Sequence, residues 1–371
     1  MKFTVNMLKA TTTQGENSMI SPYSIVQALA MTANGANGKT LEEMEEVLGN
    51  GMSIEELNKY LLTQRKNSIN TRNSYRDKWS MNTANSIWAI NDTNRIQARP
   101  EFIQKCVDYY DSEYYIAPFD DSTLDDVNNW VDEKTNNMIP SILEQISEYD
   151  VMYLVNAVAF EAEWMEQYEE YQVRDGKFYA ADGSEQEAEM LCSTEAYIGD
   201  ENTDGMIKYY SGGKYAFAAL LPEKGTSVEQ YIADLTPEKL SNILNSHMNA
   251  YTPANVKLPK FKCEYGADIS DYLVEMGMPT AFSYDADFSN MSSIAYKHPI
   301  QIGYVIHKTF IDLDENGTKA AAATIVAMED NAVSIEPEVK KEVILDRPFV
   351  YCIIDTETSI PVFIGVLNSL S

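Results

Sequence analysis

The sequence predicts an α+β fold in one domain spanning residues 1–371, and three observations lead there. Helical periodicity dominates the first third, apolar and β-branched runs dominate the remainder, and no Pro/Gly/Ser-rich linker divides the chain. Runs of helices followed by runs of strands imply a sheet with its helices segregated, not the alternation of a parallel α/β sheet. Two intimately packed lobes are the alternative, because 371 residues can fill more than one ordinary domain.

The elements follow in order. From Ser24 to Asn34, apolar Ile25, Leu29, Ala30 and Met31 share one helical face. Thr40-Leu41-Glu42-Glu43 reads as a capping box, which would place a helix start at Thr40. Asp125 to Ile139 is amphipathic, with Val127, Trp130, Val131 and Thr135 on one face. Val151 to Phe160 (VMYLVNAVAF) is a nearly unbroken apolar run, the pattern of a strand buried on both faces. MIKYY and YAFAALL flank the turn SGGK, and FVYCII and IPVFIGV flank DTETS; each pair reads as a hairpin.

Composition narrows the function. With 28 basic and 57 acidic residues the net charge is −29, the opposite of a nucleic-acid or anionic-membrane footprint. One local exception is Lys59 to Lys78, where Lys59, Arg65, Lys66, Arg72, Arg76 and Lys78 face only Asp77. A polyanion could bind there, but a solvated surface is the expected reading. Cys106, Cys192, Cys263 and Cys352 are widely spaced, with neither a CxxC pair nor zinc spacing. Cys352, inside YCII, reads as a small buried hydrophobe. No apolar stretch reaches the roughly 18 residues of a membrane span, and MKFTVNMLKA is too short and polar for a signal peptide.

Nothing marks an enzyme. The histidines are His247, His298 and His307, and no nucleophile elbow, P-loop, dinucleotide fingerprint or HExxH is present. His307, in VIHKTFI, reads as a buried, hydrogen-bonded structural histidine. Asp312, Asp314, Asn316 and Gly317 match positions 1, 3, 5 and 6 of a calcium loop, but position 12 is Ala323 where a bidentate glutamate is required. Neither a metal nor a cofactor is expected.

The segment from Glu315 to Met328 needs another explanation. Ala320, Ala321, Ala322 and Ala323 favour a helix, but Thr324, Ile325 and Val326 are stiff residues that favour strands. The stretch also lacks the apolar stripe of a docked helix. Small residues suit a strand that slides between two others. Thr318, Ala320, Ala322, Thr324, Val326 and Met328 are all uncharged, so one face of such a strand could be buried.

Glu315-x-Gly317-Thr318-x-Ala320-Ala321-Ala322-Ala323-Thr324 resembles the hinge of inhibitory serpins, and other segments match in order. Ser21-Pro22-x-Ser24-Ile25, Asn156, Phe160 and Trp164 in NAVAFEAEW, Leu258-Pro259-Lys260-Phe261, Arg347-Pro348-Phe349 and Phe363-x-Gly365 are similar to that family's motifs. Ser369 departs, standing where the family often has proline. The resemblance implies a serpin fold: three β-sheets, about eight or nine helices and an exposed reactive-centre loop at about 315–340. It also implies a suicide substrate of serine or cysteine proteases. A protease cuts the loop, is held as an acyl-enzyme, and is displaced as the cut loop enters the main sheet. A non-inhibitory carrier, chaperone or storage protein is the alternative.

By the same resemblance, Ser21, Ser24, Asn156 and His307 form the shutter that controls sheet opening, and Trp164 marks the breach where insertion begins. Family spacing puts the scissile bond at Asn331–Ala332, fourteen residues past Gly317 (317 + 14 = 331), with Met328 and Val333 as alternatives. No Lys or Arg lies between Ala320 and Val339, so elastase-like or subtilisin-like targets are expected over trypsin-like ones; an Asp- or Asn-directed protease is a second possibility. Thr318 is expected to turn inward on insertion while lying in an exposed loop beforehand. A glycan on the sequon Asn316-Gly317-Thr318 would obstruct the hinge, which points away from a eukaryotic secretory route. A monomer is expected, secreted or extracellular, with an intracellular site left open.

Overall fold

The strands of this chain are ordered by where apolar residues can be covered on two faces. The computed structural model describes residues 1–68, 78–248, 251–318 and 341–370. Fifteen strands lie among them: β1 (Ser18–Ile20), β2 (Trp79–Ile90), β3 (Glu113–Ala117), β4 (Met152–Glu163), β5 (Val173–Tyr179), β6 (Glu185–Gly199), β7 (Thr203–Tyr209), β8 (Tyr215–Pro222), β9 (Pro253–Pro259), β10 (Phe261–Asp268), β11 (Ile306–Leu313), β12 (Gly317–Thr318), β13 (Lys341–Ile344), β14 (Phe349–Asp355) and β15 (Ile360–Leu367). Nine α-helices accompany them among the described residues.

Six strands form the sheet β10-β11-β12-β4-β2-β3. The other nine run β1-β15-β14-β8-β7-β6-β9-β13, with β5 added on β6. The long strand β6 makes this second network continuous. Its end, Ala196–Gly199, pairs with β7, while Met190–Ala196 pairs with β9 and Glu185–Leu191 with β5. Two of the three expected sheets therefore share one strand.

β4 is covered on both faces, as its unbroken apolar run requires. Val158, Phe160 and Ala162 meet Phe217 and Tyr351 of the nine-stranded sheet in one core. Tyr153, Val155, Ala157 and Ala159 point the other way, onto Val127, Trp130 and Val131 of the helix Asp121–Lys134. That helix ends earlier than the periodicity suggests, because Asn136 and Asn137 take left-handed φ values of 52° and 60°. The hairpins β7–β8 and β14–β15 pair antiparallel as read.

The capping box is not used. The helix runs Gly38–Gly49, so Thr40 lies inside it and Asn37 at its start. Thr40 Oγ1 instead accepts from the Asp287 amide at 2.9 Å. The Glu43 carboxylate accepts from the amide and hydroxyl of Thr280, each at 2.9 Å. Distant partners outcompete the local pair because both side chains face a neighbouring segment.

Candidate functional site

The site begins where β11 ends. Asp314 closes a turn: its Oδ1 accepts from the amides of Asn316 at 2.7 Å and Gly317 at 3.1 Å, a short-range use of aspartate that favours turns. Asp312 is paired with Lys262 at 2.7 Å. The acidic spacing that mimics a calcium loop thus serves a turn and an ion pair. The chain then enters the six-stranded sheet as β12, with Thr318 opposite Leu313 on one side and Ala162 on the other.

Trp164 holds this turn. Its amide donates to the Asn316 carbonyl at 2.8 Å, and its indole N–H donates to the Asp314 carbonyl at 2.9 Å. The Tyr168 amide donates to the Glu315 carbonyl at 3.0 Å. The Trp164 ring stacks on Tyr210, centroids 4.5 Å apart. Beneath these rings, buried Lys208 pairs with Glu195 at 2.6 Å and lies 4.5 Å from the Tyr168 ring. Lys260 binds Glu315 at 2.7 Å and Glu189 at 3.2 Å, and the ammonium beside Glu315 holds its carboxyl below the usual range.

Thr318 points inward, as expected, but is already 2% exposed and hydrogen-bonded to the Tyr210 hydroxyl at 2.5 Å. The expectation of an exposed Thr318 is therefore corrected: pairing with two strands and a buried hydroxyl partner both favour seating it. Glu315, Gly317 and Thr318 are brought together with Trp164. Ala320, Ala321, Ala322, Ala323 and Thr324 lie outside the described residues, as do Met328, Asn331, Ala332 and Val333.

Below β12, no ladder joins β4 to β11 among the described residues. A cavity of about 680 Å³ opens there, lined by both strands, by Ile25 and Leu29 of the helix Pro22–Ala33, and by Ser24, Asn156 and His307. These three are joined through Ser21. The Ser21 amide donates to His307 Nε2 at 3.0 Å, and its hydroxyl donates to the Val362 carbonyl at 2.8 Å while accepting from the Ser24 amide at 3.2 Å. The Ser24 hydroxyl donates to Asn156 Oδ1, whose amide nitrogen donates to Asn85 Oδ1 at 2.7 Å. Burial pushes the His307 imidazole down to about 4, so it is neutral at physiological pH and Nε2 is free to accept. The four expected shutter residues thus form one network between β4, β11 and the helix under them.

Sequence reading missed Tyr210, Tyr168, Lys208 and Asn85, and saw Asp314 only as part of a rejected calcium loop. Lys260 stood in the LPKF match, but its link to Glu315 is non-local and carries no sequence signal. Of the basic run from Lys59, Arg65 pairs with Asp111 at 3.1 Å and Lys78 with Glu163 at 2.6 Å; Arg72 and Arg76 lie outside the described residues. No helix among the described residues is long and apolar enough to cross a membrane.

Comparison with known proteins gives the family and the fold. Residues 1–370 match the family described as "Serpin (serine protease inhibitor)". An uncharacterized serpin-like protein of Thermococcus kodakarensis is 30% identical, the match covering 98% of this chain and 83% of that protein. Serpin-Z2A of Triticum aestivum is 31% identical over 95% of this chain and 90% of its own length. The thermophilic serpin tengpin in its native state superposes with a TM-score of 0.88 at 42% identity, covering 100% of this chain and 92% of that one. Proteins of this family are generally protease inhibitors and not enzymes, and this chain belongs to the serpin family.

Proposed function

We propose that this protein is a suicide-substrate inhibitor of serine or cysteine proteases, acting by insertion of its cut loop between β4 and β11. The observation that carries this reading is the seating of Gly317 and Thr318 between those strands, above a cavity where the strands part. Insertion would prolong a strand already begun. In the register of β12 (318 + 162 = 480), Thr324 would come opposite Asn156 and Met328 opposite Met152. Even-numbered residues would then face inward as Thr318 does, and those through Met328 are all uncharged.

The chemistry is ordinary acyl transfer up to one point. The protease nucleophile adds to the Asn331 carbonyl carbon, the Asn331–Ala332 C–N bond breaks, and the amine of Ala332 leaves carrying a proton. An ester, or a thioester with a cysteine protease, now joins the enzyme to Asn331. Hydrolysis would release active protease; insertion carries the enzyme away first. The loop composition favours elastase-like or subtilisin-like targets, because a trypsin-like pocket lacks its basic residue.

The test is incubation with a protease panel, reading denaturant-stable complexes on gels and the released C-terminal peptide by mass spectrometry. A complex with an elastase or subtilisin, and a peptide beginning at Ala332, is expected. Cleavage outside 328–334, or rapid one-to-one inhibition of trypsin alone, overturns the assignment of bond and target. Clean cleavage with every protease left active points to a carrier, chaperone or storage protein.

A further inference from the structure

We infer that Tyr304 and Asp150 form a clasp at the end of the six-stranded sheet remote from the hinge, which the last residues of the inserting strand must release. The inference rests on the insertion reading above. Asp150 Oδ2 accepts three hydrogen bonds: from Tyr153 Oη at 2.6 Å, from the Ser147 amide at 2.9 Å and from Tyr304 Oη at 3.0 Å. The first two donors lie on its own side of the cavity. The third comes from across it.

The two sides are separately anchored. Asp150 is fixed to the β2–β4 side, where the Ile90 amide donates to the Val151 carbonyl at 3.0 Å. Arg95 Nη2 donates to the carbonyls of Glu148 at 2.8 Å and Asp150 at 3.2 Å. Tyr304 leads into β11 and is fixed to the other side. The next residue, Val305, donates its amide to Ser270 Oγ at 2.8 Å and accepts from the Ile269 amide at 2.9 Å. Tyr153, Asp150 and Tyr304 all line the cavity between β4 and β11. β12 bridges the halves at the top, and this carboxylate bridges them at the bottom.

The register places the clasp at the end of the reaction. Continuing the sum of 480, position 327 comes opposite Tyr153 and position 330 opposite Asp150. A loop cut after Asn331 therefore reaches the clasp only with its final residues. Early insertion proceeds with the bond intact, and complete insertion requires the Tyr304 hydroxyl to leave Asp150.

The uncut protein is mixed with a synthetic peptide of residues 318–331, and uptake is timed by native gel shift and mass spectrometry. Tyr304→Phe removes the bond that crosses the cavity and keeps the ring, so uptake should quicken about 10- to 100-fold, the range for losing one hydrogen bond to a charged acceptor. Tyr153→Phe removes a bond within one half and the weaker contact of its hydroxyl with that of Tyr304, so it should quicken uptake clearly less than Tyr304→Phe does. Asp150→Asn, which weakens the acceptor without removing it, should fall between wild type and Tyr304→Phe. Wild-type rates in both Tyr304→Phe and Asp150→Asn overturn the clasp, as does equal acceleration by the two tyrosine variants, which would mark general loosening. A wild-type protein that takes up no peptide and traps no protease overturns the insertion reading along with the clasp.

Discussion

A β-carbon at position 317 would lie 2.0 Å from the Ala162 carbonyl oxygen and 2.8 Å from the Glu163 Cα, with φ at +156°. Backbone of β4 occupies that space, and backbone cannot swing aside as a side chain can. Gly317→Ala should therefore keep the hinge out of the sheet, in the uncut protein and during insertion alike. The protease complex should form poorly, with several molecules cleaved per protease trapped; one-to-one trapping by this variant would contradict the seated hinge. Thr318→Arg acts one residue later. An unpaired arginine in place of the Thr318 hydroxyl costs several kcal/mol if buried, so hydrolysis should outrun insertion. Because Thr318 is already buried against Tyr210, the uncut variant should also melt a few degrees lower, which a thermal scan of both forms will show. The inward direction of Thr318 was legible in the alternation of uncharged residues from 318 to 328. Its burial before cleavage was not, because the Tyr210 partner lies more than a hundred residues away and the contact exists only in the fold.

β4, β11 and the helix Pro22–Ala33 meet at His307, and this junction sets a pH dependence. The folded-state imidazole is lowered from 6.5 to about 4 by burial. A depressed base binds fewer protons folded than unfolded, so its contribution is fully present above pH 6.5 and is lost as pH falls toward 4. The loss amounts to about 2–3 kcal/mol across that window. Below it, a charged His307 can no longer accept from the Ser21 amide. His307→Gln should flatten this part of the stability curve, measured as wild type minus variant by denaturant titration between pH 7 and 4; equal slopes would remove His307 from the shutter. Elements of this kind were well marked in the sequence. β4, the two hairpins and the buried face of the helix Asp121–Lys134 all follow from apolar periodicity, which depends only on local spacing. Thr40 and Glu43 misled because a capping box is a local pattern, and distant Asp287 and Thr280 claimed both side chains. The shutter became legible only by family resemblance, since no spacing links Ser21 to His307.

The whole molecule carries its loop between two different sheets: Thr318 belongs to the six-stranded one, whereas Lys341 pairs with Ala254 at the edge of the nine-stranded one. On the insertion reading, the cut loop gains about a dozen strand residues at roughly 1 kcal/mol per net hydrogen bond. For a chain of this size that should raise the melting temperature by more than about 10 °C. Calorimetry of the protein before and after cleavage tests this, and coincident transitions would mean that no strand was added. On the same reading, cleavage would leave residues up to 331 free to run the length of β4, while those from 341 stayed in place. The new ends would part and could not rejoin, so each molecule would be spent in a single event. A protein working this way would behave as a titrant. Added protease would show almost no activity until it matched the supply of inhibitor, and would then rise in full proportion, so the amount of inhibitor would set a sharp threshold for proteolysis.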